Sequence, residues 1–174
     1  LARPDLVQEG RDRLREFLRY TRANGIHEYC SPTYTGVDLG CLYLLQALTE
    51  DPEVREWSDV LLELFWTDLS VNWFAPAGKL SGARSRDYDY LRGTGFLGGW
   101  LAAEGWLPQG DHTPLPPFLS LYASWSPPPG LREANRETYP RSVLQSWGVG
   151  LMHTRRSWVG SDVVLSCSGA NYGI

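Results

Sequence analysis

The chain of 174 residues is long enough for one domain with a sizeable core, and its 43% hydrophobic and 21% charged residues exclude a disordered protein. Its net charge of −4 argues against a nucleic-acid surface, which requires clustered basic residues. Its apolar runs are all shorter than the roughly 20 residues that span a membrane, so no membrane partner is predicted.

The first half of the chain has the pattern of packed helices. Helices are predicted over 5–24, 33–50, 52–73 and 94–104 from apolar residues at helical spacing. Gly25 ends the first helix, whereas Ser31-Pro32 and Asp51-Pro52 are typical starts of the next two. The short link between the second and third helices predicts that they form an antiparallel hairpin.

The second half of the chain changes character at residue 107. Repeated prolines over 107–141 exclude a long helix and predict an extended connector. The segments 143–153 and 157–166 are predicted strands, because they are rich in residues that favour a sheet. We therefore predict a helical domain over 1–106, a proline-rich connector over 107–141 and a β-segment over 142–174 that starts a β-sandwich.

The cysteines and histidines indicate no metal centre. Cys30, Cys41 and Cys167 match no metal or redox spacing. We expect buried free thiols; the alternative, in an oxidising compartment, is a Cys30–Cys41 disulfide. The three histidines are isolated in sequence, and no nucleotide-binding loop is present. The sequence predicts neither a metal nor a cofactor and leaves the cellular location open.

Two polar loops flank the second and third helices and form the candidate site. The first, 25–36, contains His27, Glu28 and Tyr34, and the second, 75–88, contains Arg84, Arg86 and Tyr88. Two antiparallel helices of similar length bring these loops to the same end of the hairpin. We therefore predict that Tyr34 lies close to Arg84 and Arg86.

Three of these residues are candidate catalytic residues. Tyr34 is the first candidate for an acid or base, because a neighbouring arginine lowers the pKa of a phenol. His27 is the second candidate, because an unperturbed imidazole can transfer protons near neutral pH, and Tyr88 is the third candidate. Arg84 and Arg86 are two positions apart, so in an extended loop their side chains point the same way and form an anion clamp. The alternative is that they form salt bridges with Asp87 and Asp89.

The remaining candidates would bind substrate. Glu28, Asn72 and Trp73 join Arg84 and Arg86 in this group, with Asn72 as the nearby amide. The chain has eight Trp and nine Tyr, and the Trp residues are spread along it. Such a bias is typical either of a Trp-rich core or of aromatic surfaces that stack on sugar rings, and both interpretations stay open.

At 31–34 (Ser-Pro-Thr-Tyr), 81–88 and 162–173 the sequence resembles heparinase II/III-like and alginate-lyase-like proteins. The resemblance implies a mainly α fold, with antiparallel helical hairpins of an (α/α)-toroid followed by a β-sheet domain. It also implies a polysaccharide lyase that cleaves uronate-containing glycans by β-elimination. A complete toroid needs more helices than 174 residues hold, so we expect a piece of a larger protein or one chain of an assembly.

Two other functions are compatible with the same residues. One is a non-catalytic carbohydrate-binding or scaffold protein, suggested by the Trp excess. The other is a glycoside hydrolase, which needs two carboxylates roughly 5 to 10 Å apart; Glu28, Asp38, Asp87 and Asp89 are the candidates. The predicted partner is an acidic polysaccharide or oligosaccharide.

Overall fold

A computed structural model describes residues 3–86, 88, 94–107, 116–134 and 138–169. The α-helices are α1 (Pro4–Asn24), α2 (Pro32–Leu48), α3 (Pro52–Asn72), α4 (Leu97–Ala103) and α5 (Leu131–Ala134). The strands are β1 (Trp73–Phe74), β2 (Lys79–Leu80), β3 (Arg141–Ser146), β4 (Thr154–Val159) and β5 (Val164–Ser168). Short 3₁₀ turns cover Ala75–Ala77 and Phe118–Leu121.

The three long helices begin where local chemistry dictates. Ser31 caps α2 by accepting a hydrogen bond from the backbone N–H of Tyr34, and Asp51 caps α3 by accepting from Glu53 and Val54. Each helix also has proline in its first turn, where the missing N–H costs nothing. The predicted helices over 5–24, 33–50 and 52–73 are confirmed to within a few residues, whereas the fourth is shorter than 94–104.

The core lies where α2 and α3 pack as an antiparallel pair and α1 and α4 cover them. Phe65 of α3 is buried and its ring lies 6.4 Å from that of Phe17 of α1. Tyr43 of α2 stacks on Trp100 of α4 at 4.5 Å. Five of the eight tryptophans are buried, namely Trp66, Trp73, Trp100, Trp106 and Trp147. Most of the Trp excess is therefore accounted for by the core.

An antiparallel sheet of order β3-β4-β5 packs on the end of the helical layer. The predicted strand over 143–153 is wrong beyond Ser146, because the chain turns back between Trp147 and His153 with a hydrogen bond from Trp147 N to His153 O. A second turn at Gly160 divides the predicted strand over 157–166 in two. Val159 of β4 and Trp147, which directly follows β3, are both buried.

The expected (α/α)-toroid is wrong for the residues that the structure describes. A toroid arranges successive helical hairpins around an axis, whereas here three long helices and two short ones carry a small sheet directly against the end of α3. The physical reason is that side chains of β3 and β4 hydrogen-bond into the helical layer, as with Arg155 and Asn72. The helices thus bury their apolar faces against each other and this sheet.

The cysteine thiols and the apolar character of the helices can also be compared with the sequence-based expectations. All three cysteines are free thiols, but only Cys30 is buried, and Cys41 and Cys167 are exposed. None of the described helices combines the length and the apolar character that crossing a membrane requires.

Candidate functional site

The loop between α1 and α2 has a tightly determined path. Gly25 has φ +83° and packs on the end of β3, where a Cβ atom would collide with the carbonyl oxygen of Ser146. Cys30 also has a positive φ, 48°, directly before the cap residue Ser31. These constraints hold Tyr34 in the first turn of α2, where its side chain is part-exposed.

Residues of both predicted loops meet on one surface together with Asp38 of α2. We call it the tyrosine–arginine surface, and its residues are Glu28, Tyr34, Asp38, Arg86 and Tyr88. Glu28 accepts a hydrogen bond from Ser85 Oγ at 3.0 Å and lies 3.4 Å from Arg86 Nε. The rings of Tyr34 and Tyr88 meet edge to face at 6.0 Å. Asp38 follows Tyr34 by one turn of α2, so both project from the same side of the helix.

The charges of this surface perturb its proton-transfer groups. The pKa of Tyr34 is raised, chiefly by its hydrogen-bonding interaction with Tyr88, and the nearby charge of Arg86 opposes that rise. Burial, and next the negative charge of Glu28, raise the pKa of Asp38 to about 6. Tyr34 therefore keeps its proton at neutral pH, whereas Asp38 changes charge close to neutrality. The sequence predicted a lowered pKa for Tyr34, and the contact with Tyr88 reverses that direction.

The two predicted clamp arginines lie on different sides of their loop. Arg86 faces Glu28, whereas Arg84 donates from Nη2 to the carbonyl oxygen of Leu80 at 3.0 Å and lines a separate cleft. The loop is irregular here rather than extended, so alternation does not bring the two side chains together. Asp87 and Asp89, the acids of the alternative salt-bridge loop, lie outside the described residues.

His27 lies against the sheet. Its Nδ1 is 3.2 Å from the carbonyl oxygen of Trp147, and the two rings lie 5.8 Å apart. Glu28, the neighbour expected to orient it, instead contacts Ser85 and Arg86. The described contacts therefore associate His27 with Trp147.

Asn72 and Trp73, the other two predicted substrate-binding residues, are both buried. The Asn72 amide donates to the carbonyl oxygen of Asp68 at 2.8 Å and to Gln145 Oε1 at 3.0 Å. Trp73 packs on Trp106, with ring centroids 5.8 Å apart. These two side chains hold the end of α3 to the sheet and to the core.

Asp38 is the residue of this surface that the sequence favoured least. The sequence predicts Asp38 only as one of four candidate acids for a hydrolase, because nothing in the linear order links it to Glu28. Its position four residues after Tyr34 was the available signal. Its burial and the charge of Glu28 depend on tertiary packing.

No protein-family model, no curated protein and no solved structure matches this chain. Within the described residues, no three His, Cys, Asp or Glu side chains form a group that could hold a metal ion. The tyrosine–arginine surface therefore has to be judged on its own chemistry.

Proposed function

We propose that the protein acts on an acidic polysaccharide or oligosaccharide and cleaves it beside a uronate by β-elimination at the tyrosine–arginine surface. The observation that carries the proposal is the interaction of Tyr34 with Tyr88 next to Arg86. β-Elimination needs a cation for the substrate carboxylate, a base for the proton on the adjacent carbon and an acid for the leaving oxygen.

Arg86 is the proposed carboxylate-binding residue. Its guanidinium offers several N–H donors in one plane, which suits a carboxylate, and its contact with Glu28 at 3.4 Å is long for a hydrogen bond. A substrate carboxylate would share this cation with Glu28. Binding there would neutralise the negative charge that develops on the uronate when the proton on the adjacent carbon is removed.

Asp38 and Tyr34 are the proposed base and acid. A carboxyl group with a pKa of about 6 is largely ionised at pH 7 and is a stronger base than an ordinary aspartate. Tyr34, with its raised pKa, retains the proton that the leaving sugar oxygen requires. Asp38 would take the proton next to the carboxylate, the glycosidic C–O bond would break, and Tyr34 would protonate the oxygen released.

A glycoside hydrolase is the second candidate, and the raised pKa of Asp38 favours it. A carboxyl group that keeps a proton near neutral pH can act as the general acid, with the Glu28 carboxylate as the second acidic residue. The two reactions differ in their products. Elimination creates a carbon–carbon double bond in the new terminal uronate, whereas hydrolysis adds water and creates none.

The test is to incubate the protein with a panel of uronate polymers and to measure both new reducing ends and the ultraviolet absorbance of an unsaturated uronate. Both signals together support the lyase, and reducing ends without absorbance support the hydrolase. Tyr34→Phe should lower the lyase rate by roughly 100-fold or more, the usual contribution of a general acid. Tyr122→Phe, an exposed tyrosine that pairs with Phe118, is the matched control.

If no polymer gives new reducing ends or ultraviolet absorbance, both enzyme proposals are contradicted. Binding without turnover would then favour the third function, a non-catalytic carbohydrate-binding protein. In that case Tyr34→Phe should change glycan binding little, because a phenylalanine ring can make most of the contacts that a tyrosine ring makes with a sugar.

A further inference from the structure

A second site lies on the other side of the loop that contains Arg84 and Arg86, in a cleft of about 620 Å³ between the β1–β2 hairpin and the turn before β5. We call it the lysine cleft. Its charged lining residues are Lys79, Arg84 and Asp162, and Phe74 and Val163 supply apolar walls. The cleft combines cations with apolar surface, which is the combination that an acidic sugar ring requires.

Lys79 is placed to bind an anion. No hydrogen bond or ion pair joins its ammonium group to any residue in the described part of the chain. Arg84 enters the same cleft with one nitrogen anchored on the Leu80 carbonyl oxygen, which fixes the direction of the guanidinium. Asp162, the acid of the cleft, is exposed and accepts a hydrogen bond from Ser161 Oγ at 2.7 Å.

Ser81 supplies an independent indication of a ligand. It lines the cleft, its side chain is 3% exposed, and its Oγ has no hydrogen-bond partner among the described residues. Its backbone is held on both sides, because its N–H donates to Asn72 O at 2.8 Å and its carbonyl oxygen accepts from Arg155 Nη2 at 2.7 Å. A buried hydroxyl without a partner is costly. Ser81 Oγ is itself buried, so a ligand oxygen has to reach it from the cleft to supply the missing partner.

We infer that the lysine cleft binds the carboxylate of a second acidic sugar, so that the substrate class is a polyuronate with carboxylates on neighbouring units. The inference rests on the proposed function for the role of Arg86. Arg84 and Arg86 are two residues apart, so their Cα atoms are separated by at most roughly 7 Å. One glycan chain that crosses this loop would contact the tyrosine–arginine surface with one unit and the lysine cleft with another.

The test is calorimetric titration with the galacturonate monosaccharide, a tetragalacturonide and sodium sulfate. The wild type should bind the tetramer more tightly than the monosaccharide, because two sites are then occupied by one chain. Lys79→Gln should weaken tetramer binding roughly tenfold, as expected for loss of one charge-assisted hydrogen bond. Arg156→Gln, which removes an exposed cation from the outer face of β4, should leave binding unchanged.

The outcomes separate this inference from the proposed function. Unchanged tetramer binding in both Lys79→Gln and Ser81→Ala overturns the second subsite, whatever Tyr34→Phe and Arg86→Gln do to product formation. Weaker binding in Lys79→Gln without any product supports the cleft and contradicts the enzyme proposal. Sulfate binding as tight as that of the tetramer overturns the sugar assignment, because the cleft would then be an inorganic-anion site.

Discussion

Arg155 donates a hydrogen bond from Nη1 to the side-chain oxygen of Asn72 at 2.7 Å, which joins β4 to the last residue of α3. The same guanidinium donates to Gln145 Oε1 at 2.9 Å and to the carbonyl oxygen of Ser81 at 2.7 Å. Ser81 precedes the loop that contains Arg84 and Arg86. This buried contact therefore positions both candidate binding sites through the backbone at Ser81.

Arg155→Met should lower the free energy of unfolding by about 3 kcal/mol. The substitution leaves the Asn72 oxygen and the Ser81 carbonyl without their charged donor, and it removes the cation that opposes the raised pKa of buried Asp68. Urea denaturation measures the change. Arg156→Met alters the neighbouring exposed arginine and should stay within about 0.5 kcal/mol of the wild type. Equal effects of the two substitutions would contradict the assigned role of Arg155.

Ser81→Ala should raise the stability of the ligand-free protein by about 1 kcal/mol. The substitution removes a buried hydroxyl that has no partner among the described residues, and burial of such a group costs roughly 1 to 3 kcal/mol. Thermal unfolding without ligand measures the shift. Ser157→Ala is the matched control, because the buried Ser157 Oγ lies 2.7 Å from Ser166 Oγ, and its removal should destabilise the protein. A destabilised Ser81→Ala protein would mean that this hydroxyl has a partner in the folded state.

The sequence predicts the long helices because their determinants are local. Ser31 and Asp51 cap α2 and α3 through bonds to residues two or three positions on, and the prolines that follow need no N–H partner. Tyr34 and Arg86 share one surface because α2 and α3 are antiparallel and similar in length, which brings the loops before and after them to the same end.

The contacts of single side chains depend on distant parts of the chain. Asn72 is predicted to be an amide that binds substrate, yet it is buried because Gln145 and Arg155, more than 70 positions later, supply its partners. The side chains of Arg84 and Arg86 face different sides because their loop is irregular. Their spacing of two positions in the sequence does not indicate this. The third strand was missed because one turn hydrogen bond, from Gly160 N to Val163 O, divides a continuous β-favouring run.

Asp38→Asn should stabilise the protein at pH 8 and have little effect at pH 4. The pKa of Asp38 in the folded protein, about 6, lies above the ordinary value, so the folded state binds this proton more tightly than the unfolded state. The stability that Asp38 contributes is present below about pH 4 and is lost as the pH rises through about 6. Asparagine cannot ionise, so we expect a gain of about 1 to 2 kcal/mol at pH 8. Parallel stability curves for the two proteins between pH 4 and pH 8 would contradict the shift.

The pH dependence of cleavage should distinguish the two proposed reactions, because Asp38 must be in opposite protonation states. A lyase needs the Asp38 carboxylate as its base, so kcat/KM should rise as the pH increases through about 6 and then level off. The raised pKa of Tyr34 keeps this acid protonated beyond neutrality. A hydrolase needs protonated Asp38 as its acid, so kcat/KM should fall through the same region. Rates measured from pH 4 to pH 9 decide between them, and the limb near pH 6 should vanish in Asp38→Asn. A limb that persists in this variant would belong to another group and would remove Asp38 from the mechanism.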